Sequence, residues 1–218
     1  LILELENVEI SQMLSLSFAK VLCFVTLISL ISCHSLHQTT QEIAKEVGKK
    51  IIYYGASVRL QHEKTKFHLH SHDLKYGSGS GQQSVTATKE DTDYNSLWTI
   101  KNQQGTPFKL PDEKVLCGDV VRFEHVLTKK NLHSHDFRAP VSGKFEVSCF
   151  GNDGNGDDGD NWKIVCEKNK EGTPLKGYTS FYLQHLGTNR YLFTDHPNSF
   201  NHRNCGHNCP IMGQLEVA

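Results

Sequence analysis

The sequence contains little proline and tryptophan, no strongly basic stretch and no sustained helical periodicity. Of its 218 residues, 6 are proline and 2 are tryptophan, and the formal net charge is −1. Because proteins that bind nucleic acids carry clustered positive charge, this balance argues against such a partner. Motifs for a nucleophile elbow, a phosphate-binding glycine loop or a metalloprotease are also missing, so no catalytic residue and no cofactor is predicted.

One long apolar run lies near the N-terminus. Residues 21–31 (VLCFVTLISLI) follow Lys20 and precede small residues, as in a secretory signal peptide. The run is short for a membrane span, and a short N-terminal anchor is the alternative. With Met13 as the natural start, we predict a signal peptide over residues 13–34. Residues 1–12 carry three glutamates and are interpreted as upstream read-through.

Removal of the signal peptide would leave a nearly neutral chain with five cysteines. Residues 35–52 are polar and are predicted to form a tether, and no further apolar run follows, so no stable membrane span is expected after cleavage. In an oxidising compartment the cysteines can pair, although an odd number leaves at least one free or intermolecular. Their pairing is not determined by the sequence. The five are Cys117, Cys149, Cys166, Cys205 and Cys209.

A frame that occurs three times organises the chain. It reads Leu/Phe-Gln/Glu-His-x-x-Thr-x-x-x-Leu and occupies residues 60–69, 123–132 and 183–192. A second segment follows the frame in each copy, at residues 81–85, 143–147 and 213–217. It reads Gly-x-x-Ser-Val in the first copy and Gly-x-x-Glu-Val in the other two. Such regular repetition indicates one architecture built from equivalent units that share a core.

The local pattern within each copy is that of β-strands. Apolar and polar residues alternate at the start of each frame, and glycine-rich turn signals are frequent. Three copies of about four short strands predict an all-β fold, a β-trefoil with a closed six-stranded barrel capped by three hairpins. A string of three modules and an open sandwich are the alternatives. The predicted equivalent core positions are Val58, Val121 and Phe181, then Leu60, Phe123 and Leu183, then Leu69, Leu132 and Leu192.

The repeats resemble the MIR motif of protein O-mannosyltransferases and of the inositol-trisphosphate and ryanodine receptors. The resemblance is carried by residues 69–73 (LHSHD), 76–86 (YGSGSGQQSVT), 131–135 (NLHSH) and the segment from Phe150 through an acidic loop to Trp162. From about residue 53 onward the chain looks closest to the stromal cell-derived factor 2 family of small luminal proteins.

This resemblance implies a β-trefoil of three MIR repeats, at about residues 53–107, 112–167 and 173–218. The first two copies close on strands with Trp98 and Trp162, and the third has no such strand, so it is predicted to be incomplete. The chain also shows no His-Asp-Glu-Leu-type retention signal at Ala218, which predicts either a C-terminally truncated sequence or a secreted protein.

The resemblance further implies a non-enzymatic protein of the endoplasmic reticulum lumen. Its expected partners are a DnaJ-type co-chaperone, Hsp70 and unfolded protein clients, in folding and quality control. A lectin-like trefoil that binds glycans, or an accessory module linked to O-mannosylation, is the alternative. A mannosyltransferase itself would need a multi-spanning membrane region.

The tetrapeptide His-Ser-His-Asp, present in the first two copies, supplies the candidate ligand-binding residues. His-x-His places two imidazoles on one face of a strand, which suits a transition metal. However, the two copies would lie in different sectors of a trefoil, so the structural interpretation is preferred and no metal is assigned. A polar ligand pocket in each repeat is the functional alternative. The candidates are His70, His72, Asp73, His133, His135 and Asp136.

Three further features are interpreted as structural. His62, His125 and His185 recur in the frame and are expected to be partly buried and bonded to backbone. Residues 153–160 open like a calcium loop, but Ile164 stands where that loop needs a glutamate, so a flexible acidic hairpin is predicted. Residues 205–209 fit a local disulfide or two thiols better than a zinc site.

Overall fold

A computed structural model of the chain describes residues 3–7, 50–167 and 170–218. The predicted signal peptide and most of the predicted tether lie outside the described residues. The strands are β1 Leu3–Asn7, β2 Ser57–His62, β3 His68–Lys75, β4 Gln83–Thr88, β5 Trp98–Asn102, β6 Val120–His125, β7 Asn131–Arg138, β8 Phe145–Phe150, β9 Trp162–Cys166, β10 Phe181–His185, β11 Arg190–Tyr191 and β12 Leu215–Glu216.

Within residues 50–167 and 170–218, helical structure is confined to single turns. Short 3-10 helices occupy Tyr94–Ser96, Asp158–Asp160 and His196–Asn198, and one α-helical turn, α1, occupies His202–Cys205. Within the described ranges, no helix is both long and apolar enough to cross a membrane.

The strands form a β-trefoil, as the sequence predicts. Neighbouring antiparallel strands run β2, β5, β6, β9, β10 and β1 around a barrel, which closes where β1 pairs with β2. Hairpins β3–β4 and β7–β8 cap one end, and β12 pairs with β4 beside them. Closure removes the exposed sheet edges that an open sandwich would keep.

Strand β1 takes the barrel position for which the third copy has no tryptophan strand. Leu3 pairs with His62, in the same register in which Trp98 pairs with His125 and Trp162 with His185. The residues interpreted as upstream read-through thus include a strand that belongs to the barrel of this structure.

The predicted core positions are buried in every copy. The nine repeated apolar residues form part of one continuous cluster, and none exposes more than 4% of its surface. The cluster also includes Ile52, which is fully buried and whose N–H donates to the Leu175 carbonyl oxygen at 2.9 Å. The sequence predicts a polar tether up to residue 52, whereas the folded domain already includes Ile52, because its side chain closes the core.

The repeated histidine and threonine form the same turn in all three copies. The histidine Nδ1 lies 2.8, 2.8 and 2.9 Å from the threonine Oγ1 in the pairs His62–Thr65, His125–Thr128 and His185–Thr188. On the other side of the ring, His125 Nε2 and His185 Nε2 donate to the carbonyl oxygens of Asn95 and Gly159. Burial lowers the pKa of these histidines, so the rings are neutral and Nδ1 accepts. The predicted backbone bond is confirmed for His125 and His185.

Adjacent copies are joined at the hairpins by buried carboxylates. Glu216 accepts from the N–H groups of Val141 and Ser142 at 2.6 and 2.7 Å, in the hairpin loop of copy two. At the equivalent position in copy two, Glu146 accepts from the Ser80 hydroxyl in the loop of copy one. Both carboxylates are at most 1% exposed, so copies two and three each bury a carboxyl group under the loop of the preceding copy.

Two disulfides pair four of the five cysteines in the predicted domain. Cys117–Cys166 joins residues 49 apart in the sequence, and Cys205–Cys209 joins residues 4 apart. The local disulfide is one of the two arrangements that the sequence leaves open for this pair, and Cys149 remains a buried free thiol.

We expect the long-range disulfide to stabilise the protein far more than the local one. The double variant Cys117→Ser/Cys166→Ser should lose about 4 kcal/mol, because a disulfide restricts the unfolded chain more as the loop that it closes lengthens. Cys205→Ser/Cys209→Ser should lose clearly less. Urea unfolding of both variants measures the two losses, and equal losses would contradict the expectation.

Candidate functional site

The serine between the two histidines of each tetrapeptide is a structural residue. Its hydroxyl donates across the hairpin to a strand carbonyl oxygen, and Thr194 of copy three does the same. The three bonds are Ser71 to Ser84 at 2.7 Å, Ser134 to Glu146 at 3.0 Å and Thr194 to Glu216 at 2.8 Å. The first two hairpins change register just after this serine, which bends the strands there.

In copy one, the two histidines contact each other. His70 Nε2 lies 3.2 Å from His72 Nδ1. The other ring nitrogen of His70, Nδ1, lies 3.4 Å from Ser96 Oγ and 3.7 Å from Asp93 Oδ2. Burial lowers the pKa of His70 to about 4, against the opposing effect of Asp93. At neutral pH, His70 is therefore an uncharged member of a hydrogen-bonded cluster.

In copy two, an acidic group replaces the serine that faces the first histidine. His133 Nδ1 lies 2.9 Å from Asp160 Oδ1 and 3.5 Å from Asp157 Oδ1. Asp160 is fully buried, and its second oxygen accepts from Asn131 Nδ2 at 3.0 Å. His135 Nε2 faces the buried carboxylate of Glu146 at 3.4 Å. The second copy thus places carboxylates beside both of its histidines, where the cluster of copy one has Ser96 and a single carboxylate, Asp93.

The acidic loop before the Trp162 strand is ordered by its own hydrogen bonds. Asp157 caps the turn Asp158–Asp160 by accepting from Gly159 N–H, and Asp160 accepts from Asp157 N–H. A Cβ on Gly159 would lie 2.3 Å from the His133 ring, so glycine is required for this close approach. The predicted flexible acidic hairpin is corrected here, because a reciprocal capping box fixes a 3-10 turn and directs Asp160 inward.

His133, Asp157 and Asp160 offer ligand atoms that lie within 4.8 Å of one another. His133, Asn131 and a backbone N–H already satisfy the Asp160 carboxylate, so hydrogen bonding alone accounts for the arrangement. The sequence does not single out Asp160. Its position two residues before the tryptophan, shared with Ser96, is the signal that could have identified it.

The six candidate residues do not form one site. The histidines form one cluster in each of the first two copies, whereas Asp73 and Asp136 are exposed, and no hydrogen bond of either carboxylate is found among the described residues. A cavity of about 430 Å³ lies between copies two and three, and none of the six lines it.

The free thiol does not offer nucleophilic chemistry. Cys149 is 1% exposed and donates to Ser71 Oγ at 3.3 Å. Burial raises the pKa of this thiol to about 12, so it stays protonated at neutral pH.

Comparison with known proteins identifies relatives over most of the chain. The MIR domain family matches residues 68–204. A stromal cell-derived factor 2-like protein of Arabidopsis thaliana is 50% identical over 141 residues, which cover 65% of this chain and 63% of that protein. Stromal cell-derived factor 2-like protein 1 of Mus musculus is 43% identical over 176 residues, covering 80% of this chain and 73% of the mouse protein. The chain therefore spans slightly less than two thirds of the Arabidopsis relative.

Solved structures show the same fold. The crystal structure of the SDF2-like protein from Arabidopsis thaliana matches with a TM-score of 0.68 and 42% identity, over 77% of this chain and 87% of that one. A protein O-mannosyltransferase complex of S. cerevisiae bound to the sugar donor matches with a TM-score of 0.61 and 31% identity, over 77% of this chain and 23% of that one.

The buried Asp160 should stabilise the fold, and its exposed neighbour should not. We expect Asp160→Asn to lower the free energy of unfolding by about 1–3 kcal/mol, because the amide cannot satisfy both His133 and the Asp157 N–H. Asp158→Asn, in the same turn, is the matched control and should change stability by less than about 0.5 kcal/mol. Urea unfolding measures both, and equal effects would show that Asp160 is not a specific partner of His133.

Acidification should destabilise the protein before most carboxylates are protonated. The pKa values of His62, His68 and His70 are lowered from 6.5 to about 4, in each case mainly by burial. Between pH 6.5 and about 4, the unfolded chain binds more protons than the folded protein does. The stability that these histidines contribute above pH 6.5 is therefore lost as the pH falls towards 4. Denaturant unfolding from pH 7 to 5 measures the slope. His70→Asn should reduce the slope, and His202→Asn, at an exposed position, should leave it unchanged.

Proposed function

The chain belongs to the stromal cell-derived factor 2-like family of MIR-domain proteins, and on that basis we propose that it is a non-enzymatic binding protein of the secretory pathway. It assists protein folding and quality control in the endoplasmic reticulum lumen. Its partners there are a DnaJ-type co-chaperone, Hsp70 and unfolded protein clients. The observation that carries the proposal is the 43% identity to a family member across 80% of the chain.

The disulfides support an oxidising compartment. Cys117–Cys166 joins the start of copy two to the strand that ends it, so it cross-links the copy that contains the cluster of His133 and Asp160. Structural disulfides persist in the secretory pathway and are rare in reducing compartments. The predicted signal peptide over residues 13–34 is consistent with the same compartment.

Exposed apolar side chains supply a surface for unfolded clients. Phe108 and Leu110 lie in the connection between copies one and two and are 75% and 56% exposed. Adjacent exposed apolar residues on a soluble surface favour contact with apolar segments of another chain. We assign client contact to this connection.

A client-protection assay tests the chaperone role. The protein, with purified luminal DnaJ and Hsp70, should slow aggregation of a denatured luminal client, and Phe108→Ser/Leu110→Ser should protect less. Leu186→Ser is the matched control, because Leu186 is a 43% exposed leucine outside this connection. Light scattering measures aggregation. No protection, together with no capture of a DnaJ protein from luminal extract, would overturn the proposal.

A lectin-like function is the second candidate. The similarity to the mannosyltransferase complex, at 31% identity over 77% of this chain, is the observation in its favour. Capture from luminal extract with and without free mannose separates the two functions. Glycoproteins that mannose elutes would support the lectin, whereas a DnaJ protein and Hsp70 retained in mannose would support the chaperone partner.

A further inference from the structure

Copy three contains an insertion that the other two copies do not have. The connection between the frame and the second repeated segment occupies residues 193–212, compared with residues 70–80 and 133–142 in copies one and two. This longer connection, the inserted loop, includes the short helix α1 and the Cys205–Cys209 disulfide. Two cysteines and two histidines stand close together in it, and they are His202, Cys205, His207 and Cys209.

The inserted loop is anchored by contacts that do not involve the disulfide. The Phe200 N–H donates to the Gln214 carbonyl oxygen, and the Phe200 carbonyl oxygen accepts from the Gly213 N–H, each at 2.9 Å. Phe200 also belongs to a small apolar cluster, against which Leu74 of copy one and Val141 of copy two pack. A disulfide that closes a short loop contributes less stability than one that closes a long loop. We therefore expect the domain to stay folded when this disulfide is reduced.

A chain reversal after α1 brings the two histidines together. Asn201 caps the start of α1, and Gly206 follows its end with a φ of 83°, which favours glycine. The Gly206 N–H donates to the His202 carbonyl oxygen at 3.2 Å, so the chain turns back towards the first residue of α1. The ring centres of His202 and His207 lie 5.2 Å apart, and both residues are exposed.

This separation is the one that chelation of a single metal ion requires. Two imidazoles bound to one tetrahedral zinc ion have ring centres about 5 Å apart, because each Zn–N distance is about 2.0–2.1 Å. The cysteine spacing alone favours a disulfide over zinc, and the proximity of His202 and His207 is what the structure adds.

Each cysteine follows one of these histidines closely. Cys205 lies three residues after His202 in α1, so the two side chains share one side of the helical turn. Cys209 lies two residues after His207, and its Cα is 5.3 Å from that of Cys205. Two thiolates and two imidazoles form the ligand set of a closed tetrahedral zinc site. In the disulfide form the sulfurs bind each other, so the state of the disulfide sets the number of zinc ligands.

We propose that the inserted loop binds one zinc ion when the Cys205–Cys209 disulfide is reduced, and releases it when the disulfide forms again. The four ligands are His202, Cys205, His207 and Cys209. The site differs from the histidine clusters of copies one and two, which lie on β3 and β7. The inference goes beyond the proposed function and does not depend on it.

The reducing step is thiol–disulfide exchange with a dithiol. One thiolate of the dithiol attacks a sulfur of the disulfide, and its second thiol then resolves the mixed disulfide. The dithiol leaves as a disulfide, and its two electrons and two protons pass to the cysteine sulfurs. Zinc displaces these two protons when the thiolates bind it.

Metal titration of the full chain after mild reduction tests the inference. Under argon, we expect the reduced chain to bind one Co²⁺ with the visible absorption of a tetrahedral site and a thiolate charge-transfer band, and one Zn²⁺ to displace it. The oxidised chain should bind Zn²⁺ more than about a hundredfold more weakly, and so should the reduced His202→Ala/His207→Ala variant. Loss of an outer partner of a metal ligand alone costs about 10–100-fold in affinity.

His196→Ala is the matched control for the histidines. His196 is an exposed histidine of the same inserted loop, and its ring lies against Phe67 at 5.4 Å between centres. Its removal should leave zinc affinity unchanged. Cys205→Ser/Cys209→Ser, treated with the same reductant, should lose the charge-transfer band, which excludes the remaining cysteines as its source. Near-ultraviolet circular dichroism checks that the reduced chain and the variants are folded.

Four outcomes would overturn the inference. The first two are no zinc binding by the reduced chain and equal zinc affinity of the reduced and oxidised chains. Unchanged affinity in His202→Ala/His207→Ala is the third, because the thiolates alone would then account for binding. Unfolding of the chain on reduction of Cys205–Cys209 is the fourth, since the site requires the anchored loop.

Discussion

The structure depends on a core that no single copy can enclose. The barrel strands of one copy pair with those of the next, as β5 does with β6 and β9 with β10, so the layers around Leu60, Phe123 and Leu183 meet only when the ring is complete. Trp98 extends this coupling beyond the barrel, because its indole N–H donates to the Leu69 carbonyl oxygen at 3.0 Å in the hairpin above. Barrel and cap are therefore formed together, and a change in one strand affects both neighbours.

The hairpin cap adds polar contacts that are directional around the ring. Glu146 and Glu216 each reach back to the loop of the preceding copy, and Ser148 and Thr86 donate to Gln82 and Gln214 in the same sense, at 2.5 Å each. A buried carboxylate that accepts two N–H bonds is costly to leave unpaired. These contacts therefore oppose any slip of one copy against the next, which apolar packing alone tolerates more readily.

Repetition made the equivalent positions predictable, because a residue that recurs in three copies has the same environment in each. The nine core positions and the frame histidines follow from that pattern. Repetition could not predict contacts between copies, such as Glu216 with Val141, since those partners are never adjacent in the frame. Nor could it predict Asp160, whose inward orientation depends on a capping box that the corresponding turn of copy one, Tyr94–Ser96, does not have. Repetition also gives no sign that Ile52 belongs to the core, because its burial depends on a distant partner, Leu175.

The differences between copies are where specific chemistry should be sought. The tetrapeptide serines make the same bond in two copies and Thr194 makes it in the third, so that feature maintains the fold and cannot distinguish one ligand from another. By contrast, Gln83 closes its junction with hydrogen bonds, and Phe145 at the equivalent position in copy two can make none through its side chain. Replacing an amide by a ring exchanges these two hydrogen bonds for an apolar surface beside the guanidinium groups of Arg138 and Arg190. A trefoil can thus keep its symmetric core while the side chains at one junction differ in chemistry from those at the equivalent positions.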